Sequence, residues 1–428
     1  MSSTLDLEQF RAAARSWLQS NAEPRAAAAS ADEPRVAWGS GSDNVAVFHD
    51  VSEAEERARL DACQQWQRAK FDAGYAMLNW PEALGGRGLP NSYLRAYNTE
   101  EARFEVPGAG ELPPTSMGLI APTIAAYGTP EQQERFIRPL LRQDEYGCQL
   151  FSEPSAGSDL ASLATRAERD GDEWVLDGQK VWTSGARFAQ WGLAIVRTDT
   201  SVPKHKGLTA FMVPLDAAGV EVRPIRQMSG GANFNEVFLT GVRLADDLRL
   251  GPVGEGWRVA LTCLGFERDH SGGGGGGAVG GTYHHVVAAA AHFGLTNSPT
   301  VRQSLADLYV HQRVAQFTNR RAAARLKAGQ TPGPEGSLGK LMWTANMARI
   351  SDAISTILGA RLVADTGEWG TFAWGEHVLG APGYRIAGGS DEIQRNIIGE
   401  RVLGLPAEPR IGKDLSFDEA QRITRGLR

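Results

Sequence analysis

The chain has 428 residues, a length that predicts roughly two or three domains rather than a single compact core. Hydrophobic residues make up 42% and charged residues 22%, as in ordinary globular proteins, and the net charge of −6 argues against nucleic-acid or anionic-membrane partners. Three widely spaced cysteines form neither a disulfide framework nor a zinc-binding pattern. Since no apolar run reaches the roughly 20 residues that span a bilayer, and no secretory signal opens the chain, we expect a cytoplasmic protein.

Residues 1–146 are predicted to form an N-terminal helical domain. Apolar residues recur at helical spacing over residues 10–18 and give one continuous stripe. Ser52 and Glu55 form a capping box at the start of another helix, and Thr129 followed by proline marks a third start. The Ala-, Ser-, Pro- and Gly-rich stretch up to residue 41 is expected to be a loose connection.

Between residues 147 and 251 the apolar period changes to two, which predicts a central antiparallel β-barrel. Asp170-Gly171 and Asp177-Gly178 are hairpin-type turn signals. The predicted strands are residues 174–176, 180–184, 193–197, 208–214, 220–222 and 237–239.

The helical period returns over residues 252–428 and predicts a C-terminal four-helix bundle. Thr300 with Gln303 begins one long helix, and residues 338–358 form another. The predicted fold class is therefore α+β and multidomain, with helices on both sides of a β domain.

Three short segments carry the chemistry of the sequence. Residues 148–159 read CQLFSEPSAGSD, residues 182–184 read WTS, and residues 388–395 read GGSDEIQR. In this order the three segments resemble the acyl-CoA dehydrogenase family. The resemblance implies a helix–β–helix layout and FAD as the cofactor.

A flavin ring needs a flat apolar cover on one face and hydrogen-bond donors near its N5 atom and its carbonyls. Trp182 would cover the ring, and the hydroxyl of Ser184 would donate to N5. From the residues alone, the favoured interpretation is that Phe151 and Trp182 are inward-facing core residues and Ser152 is a turn residue, since aromatic strand residues usually belong to the core. The resemblance implies cofactor contacts by Gln149, Phe151, Ser152, Ser158, Trp182 and Ser184, together with Ser390 and Glu392 of the C-terminal segment.

The position of the catalytic base departs from the commonest pattern of the family. Many members have a glutamate immediately before the Gly-Thr of the C-terminal loop, whereas this chain has Gly388, which cannot accept a proton. Resemblance to members with the base on the first helix of the C-terminal domain, such as isovaleryl- and long-chain-type enzymes, implies Glu267, followed by Arg268. The alternative is that Glu267 is a surface or ion-paired residue.

The same resemblance assigns roles around this base. An apolar pocket would raise the pKa of Glu267 and suit it to abstract an α-proton. The backbone N–H of Gly388 would donate to the thioester oxygen, and Ser158 and Arg268 would contact the substrate. Read alone, the segment from Gly388 is also a helix start with Ser390 as its N-cap.

Six consecutive glycines at residues 272–277 follow Glu267 closely. If this run is helical, its lack of side chains would widen the adjacent pocket, which predicts a bulky or branched acyl group. A low-complexity linker is the alternative.

The region expected to bind the adenosine-diphosphate part of a neighbour's FAD is also unusual. Homo-oligomeric members of the family have an Arg-x-x-Phe-Gly segment there. Residues 288–294 of this chain read AAAAHFG, which retains His292 and Phe293 but lacks the arginine, and Gly359-Ala360-Arg361 stands where a glycine-rich contact loop is expected. The chain thus resembles heterotetrameric bacterial members, and we expect it to assemble as a dimer of dimers, with a second kind of chain if one FAD half-site is missing.

The sequence therefore predicts FAD-dependent oxidation of an acyl-CoA to a trans-2-enoyl-CoA. The resemblance implies an electron-transfer flavoprotein as the acceptor of the electrons. One alternative is a non-catalytic subunit of a heterotetramer, and another is a flavin monooxygenase on the same scaffold, which needs no α-carbon base. The eight histidines show no metal-binding spacing, so no metal is expected.

Overall fold

A computed structural model describes residues 6–25, 45, 47–48, 50–108, 110–271, 279–327, 333–334, 336–363, 371–409, 412, 414–424 and 426. For residues 267–271 and 326–327 it describes the backbone only. The predicted loose connection from residue 26 to 41 and the glycine run at 272–277 lie outside the described residues.

The N-terminal part is helical, as predicted. Its helices and short strands are α1 (Leu7–Asn21), β1 (Glu23–Pro24), α2 (Glu53–Asp72), α3 (Asn91–Glu101), β2 (Phe104–Glu105), α4 (Leu112–Thr115), α5 (Ala121–Tyr127) and α6 (Pro130–Arg142). One face of α1 is buried. The capping box of Ser52 and Glu55 at the start of α2 and the Thr129 N-cap of α6 are both confirmed.

The central part is a sheet of eight strands. These are β3 (Gly147–Leu150), β4 (Arg166–Asp170), β5 (Glu173–Ser184), β6 (Trp191–Arg197), β7 (Leu208–Pro214), β8 (Val220–Ile225), β9 (Phe234–Ala245) and β10 (Arg249–Leu250). They pair in the order β10-β7-β6-β4-β5-β9-β8, and β3 pairs with β6.

The predicted closed antiparallel barrel is not confirmed. Among the described residues the outer strands β10 and β8 do not pair with each other, so the sheet is open. Closure needs a continuous hydrogen-bonded edge on both outer strands, and β10 has only two residues. The sheet is also mixed, because β3 and β4 run parallel to β6.

The two hairpin signals have different outcomes. Asp170-Gly171 lies at the turn between β4 and β5, with Gly171 at a φ of 63°, so this prediction is confirmed. Asp177-Gly178 is not a turn, because it lies within β5 at a β-bulge. A Cβ on Gly178 would lie 2.7 Å from the Cα of Thr165, so this glycine permits a close backbone approach.

The C-terminal part is helical again, and the domain boundaries at residues 146 and 251 stay predictions. Its helices are α7 (Gly256–Ser271), α8 (Tyr283–His292), α9 (Pro299–Lys327), α10 (Gly336–Leu358), α11 (Thr371–Tyr384), α12 (Asp391–Ile397) and α13 (Phe417–Thr424). Helix α10 packs against α8, α9, α11 and α12. Among the described residues, no helix has both the length and the apolarity required to cross a bilayer.

Helix α7 connects the C-terminal part to the sheet. Val259, Ala260 and Cys263 are buried in one apolar cluster with Leu193 and Ile195 of β6. Burial of apolar side chains on one face of α7 therefore fixes this helix across strands β6 and β7.

Candidate active site

A buried lysine fixes the segment after β3 to the sheet. Lys180 of β5 is fully buried, and its Nζ donates to the carboxylate of Glu153 at 2.8 Å and to the carbonyls of Phe151 and Ile195 at 3.1 and 2.7 Å. Glu153 also accepts two backbone N–H groups. Burial raises the pKa of Glu153, but the charge of Lys180 and these donors outweigh burial and hold the pKa below its usual value. The E-P-x-A-G-S-D segment therefore starts from a charged, fully hydrogen-bonded anchor.

A second buried cation, Arg197 of β6, holds the end of the same segment. Its guanidinium donates to the carbonyls of Ala161 and Leu163 at 2.7 and 3.1 Å, and it lies 3.8 Å from the centroid of the Phe417 ring. Burial lowers its pKa to about 10. The arginine therefore stays charged at neutral pH and fixes the loop by hydrogen bonds to its backbone.

The predicted cofactor residues of β3 and its continuation lie between β5 and α7. The Gln149 amide Nε2 lies 3.2 Å from the Sγ of Cys263 on α7. The carbonyl of Ser152 accepts the backbone N–H of Val181 at 2.9 Å, so Ser152 lies beside the predicted ring-covering residue of β5. The Phe151 side chain is buried in the core, whereas Ser158 is exposed on the loop.

Trp182 is not an inward-facing core residue. It lies at a second bulge in β5, has a φ of 63°, and is 56% exposed. Its ring is edge-on to that of Phe234, with centroids 6.0 Å apart. A left-handed backbone is rare for bulky residues, and a large exposed aromatic ring held in this conformation is typical of a ligand contact.

The neighbouring hydroxyl of Ser184 contacts a carboxylate that the sequence did not single out. Ser184 donates to Glu111 at 2.8 Å, and the other oxygen of Glu111 accepts from the hydroxyl of Tyr384 at 3.1 Å. Burial raises the pKa of Tyr384 well above its usual value, so the phenol keeps its hydrogen. This contact brings the end of β5 next to the end of α11, four residues before Gly388.

The loop around Gly388 has the left-handed backbone for which glycine is suited. Gly388 and Gly389 have φ values of 61° and 83°. The amide of Gln394 donates to both of their carbonyls, at 3.1 and 3.2 Å, and Lys340 donates to the carbonyl of Gly389 at 2.8 Å. The loop therefore has a defined shape.

The helix start predicted after this loop is confirmed. Ser390 is the N-cap of α12 and accepts the backbone N–H of Ile393 at 3.3 Å. Glu392 is exposed and pairs with Arg395 at 3.4 Å. Asp391 is buried and accepts from Arg385 at 2.8 Å.

Glu267 and Arg268 lie near the C-terminal end of α7. Glu267 comes four residues after Cys263, so its backbone lies one turn further along the same helix face that contacts Gln149. The side chains of Glu267 and Arg268 lie outside the described part of the chain.

Two buried polar atoms beside Trp182, Ser184 and the Gly388 loop have no hydrogen-bond partner. They are the Oγ1 of Thr183, between Trp182 and Ser184, and the Oε1 of Gln394, behind the Gly388 loop. Because buried polar atoms are normally paired, these atoms fit a site that a polar ligand completes. No cluster of three metal-binding side chains occurs among the described residues.

Residues 288–294 lack the arginine expected in this segment, but another arginine, Arg361, lies close to them in space. Phe293 follows α8, and the guanidinium carbon of Arg361 lies 4.9 Å from the centroid of its ring. His292 packs edge-on to the same ring, with centroids 4.8 Å apart. A cation from the 359–361 turn therefore lies beside the A-A-A-A-H-F-G segment.

Family models for the N-terminal, middle and C-terminal domains of acyl-CoA dehydrogenases match residues 44–144, 148–242 and 254–403. Over 406 residues the chain is 38% identical to acyl-CoA dehydrogenase IpdE1 of Mycobacterium tuberculosis, covering 95% of this chain and 99% of that protein. Over 367 residues it is 28% identical to the mitochondrial short-chain specific acyl-CoA dehydrogenase of Bos taurus, covering 83% and 86%.

A solved structure described as the Tcur3481-Tcur3483 steroid ACAD is also similar, with a TM-score of 0.71 and 26% identity over 95% of this chain and 100% of that one. The chain therefore belongs to the acyl-CoA dehydrogenase family and is an FAD-dependent oxidoreductase of that family.

Proposed function

We propose that the chain oxidises a bulky or branched acyl-CoA thioester to its trans-2-enoyl-CoA, with Glu267 as the base. The observation that supports this assignment most directly is the position of α7. Cys263 on this helix contacts Gln149 of the segment at residues 148–159, and Glu267 follows one turn later on the same face. The backbone at position 267 therefore lies beside the predicted cofactor site, and a carboxylate is the kind of group that accepts an α-proton.

The residues of the site fit FAD. Trp182 offers an exposed flat ring, and Thr183 offers an unpaired buried hydroxyl. Gln149, Phe151 and Ser152 belong to the adjoining segment of β3 and its continuation. When bound, FAD supplies the acceptor for the hydride that leaves the β-carbon of the substrate.

The remaining predicted residues act on the thioester and the cofactor from the two loops of the site. The backbone N–H of Gly388 donates to the thioester oxygen and stabilises the charge that develops there as the α-proton leaves. Ser158 and Arg268 bind the substrate, while Ser390 and Glu392 lie where the C-terminal loop meets the cofactor. Holding these groups in place before the reaction contributes to its rate.

The bulky acyl group is supported by two observations. The glycine run at 272–277 follows Glu267, and glycines leave space where other residues have side chains. A structurally similar protein of 26% identity is described as a steroid ACAD. We therefore expect branched, cyclic or polycyclic acyl-CoAs to be better substrates than straight-chain ones of equal carbon number.

The substitution E267Q tests the base assignment. General-base catalysis typically contributes about 10²- to 10⁴-fold, so E267Q should lower kcat by at least about 10²-fold while FAD stays bound. The matched control is E255Q. Glu255 lies just before α7 and forms an ion pair with Arg258. It is about 18 Å from Glu267 along the helix axis. Full dehydrogenase activity in E267Q would contradict the assignment, and an unchanged oxygen-dependent activity would favour a flavin monooxygenase.

A second candidate is a subunit that needs a partner chain to complete its FAD site. It is supported by the missing arginine in residues 288–294 and by the two-component name of the similar steroid ACAD. Arg361 beside Phe293 is the cation that argues against it. A pure homo-oligomer with one FAD per chain and full activity would exclude the partner, whereas FAD binding only after addition of a second chain would establish it.

We propose an electron-transfer flavoprotein as the acceptor and the cytoplasm as the location. All three cysteines are buried thiols, as a reducing compartment permits. Reduction of a purified electron-transfer flavoprotein by enzyme and substrate, measured without oxygen, tests the acceptor.

A further inference from the structure

The carboxylate of Glu111 joins three parts of the chain. Glu111 lies just before α4, Ser184 is the last residue of β5, and Tyr384 is the last residue of α11. One oxygen of Glu111 lies 2.8 Å from the hydroxyl of Ser184, and the other lies 3.1 Å from the hydroxyl of Tyr384. An ionised carboxylate only accepts hydrogen bonds, so both hydroxyls donate to it.

Tyr384, at the end of α11, fixes the carboxylate of Glu111 in place. Tyr384 stacks on Phe48, with ring centroids 4.8 Å apart and an interplanar angle of 22°, and it also contacts Trp343 at 4.7 Å. With its phenol held by two aromatic rings, Tyr384 keeps one oxygen of Glu111 engaged and leaves the other directed at Ser184.

The contact determines what Ser184 can offer to a cofactor. A serine hydroxyl has a single hydrogen, and Glu111 takes it. The oxygen of Ser184 then has only lone pairs for any further neighbour. The hydroxyl therefore accepts from, rather than donates to, a group that binds beside it.

We infer that Glu111 is a positioning residue that presents Ser184 to the flavin as a hydrogen-bond acceptor and so favours the reduced form of FAD. This inference rests on the proposed function and on the contact between Ser184 and flavin N5 expected from the sequence, but with Ser184 as the hydrogen-bond acceptor rather than the expected donor. The reduced ring carries a hydrogen on N5 that Ser184 accepts, whereas N5 of the oxidised ring is itself an acceptor. Hydrogen bonds to ring nitrogens are one of the means by which a protein tunes its cofactor.

The test is a double-mutant cycle read on cofactor affinity rather than on turnover. The ratio of the dissociation constants for oxidised and reduced FAD is measured, from the flavin midpoint potential, for the wild type, E111L, S184A and E111L/S184A. Loss of the carboxylate charge acts equally on both backgrounds. E111L also frees the hydroxyl hydrogen of Ser184 from Glu111, an effect that exists only where Ser184 is present. In that background E111L should therefore change the ratio against reduced FAD by threefold to tenfold more than it does in the S184A background, roughly the value of one hydrogen bond.

Controls keep the cycle interpretable. E221Q removes a carboxylate that pairs with Arg223 on the exposed surface of β8, and it should leave the ratio unchanged. If E111L does not fold, E111Q replaces it in the same cycle, since a single amide oxygen serves only one of the two hydroxyls.

Equal shifts from E111L in the Ser184 and S184A backgrounds, or no shift in either, would overturn the inference. A failure of the proposed base is seen separately, as full activity in E267Q while the enzyme still binds FAD and the cycle still decides the role of Glu111. A chain that binds no FAD, alone or with a partner, would overturn both.

Discussion

Replacing Lys180 by methionine tests how the segment at residues 148–159 is held on the sheet. Lys180 has no exposed side-chain surface and Glu153 is 5% exposed, so K180M leaves a carboxylate buried without its cation. Breaking a buried ion pair by removing one partner typically costs about 3–5 kcal/mol. The variant also removes the donors to two carbonyls, although two backbone N–H groups still bind Glu153, so we expect a loss of about 3–5 kcal/mol in the free energy of unfolding.

Urea unfolding followed by tryptophan fluorescence measures this loss. The double variant K180M/E153M removes both charges and should be more stable than the sum of the single losses predicts by at least about 1–2 kcal/mol, because no unpaired charge remains. The surface pair of Glu221 and Arg223, with side chains 58% and 56% exposed, is the control, and E221Q should cost less than about 1 kcal/mol. A loss below about 1 kcal/mol in K180M would refute the reasoning, as would strict additivity in the double variant.

The remaining predictions use other buried groups. Burial lowers the pKa of His377 despite carbonyls near both ring nitrogens, so its contribution to stability is present above about pH 6.5 and lost as the pH falls, by up to about 1.4 kcal/mol per pH unit. Thermal unfolding between pH 7.5 and 5 should show this slope, and H377Q should flatten it. G178A should cost about 2–3 kcal/mol in urea unfolding because its Cβ meets backbone, whereas G171A, with open space around it, should cost about 1 kcal/mol. Burial raises the pKa of the Cys63 thiol to about 11, so iodoacetamide at pH 8 should label Cys63 only after unfolding; rapid labelling of the folded protein would contradict its burial.

Features governed by neighbouring residues were predictable from the sequence. The capping box of Ser52 and Glu55 spans four residues, and the N-caps at Thr129 and Ser390 depend on the adjoining turn alone. Asp177-Gly178 was misinterpreted because the reason for its glycine, the close approach of Thr165, is not local.

The contacts that shape the site join residues far apart in the chain and gave no sequence signal. Glu111 lies 73 residues from Ser184 and 273 from Tyr384. Lys180 also gave no signal, since it lies among polar strand residues such as Gln179 and Thr183. The open edge of the sheet likewise depends on the two-residue length of β10, which alternation of apolar residues does not reveal.

An anaerobic titration of the purified enzyme with acyl-CoAs tests the central claim most directly. The oxidised flavin spectrum is recorded before and after addition of straight-chain, branched and polycyclic acyl-CoAs, for the wild type and for E267Q. We predict loss of the visible flavin absorbance in the wild type, fastest with a branched or polycyclic acyl group, and none in E267Q on the same timescale. Bleaching of E267Q at the wild-type rate, or of the wild type by straight chains only, would contradict the account.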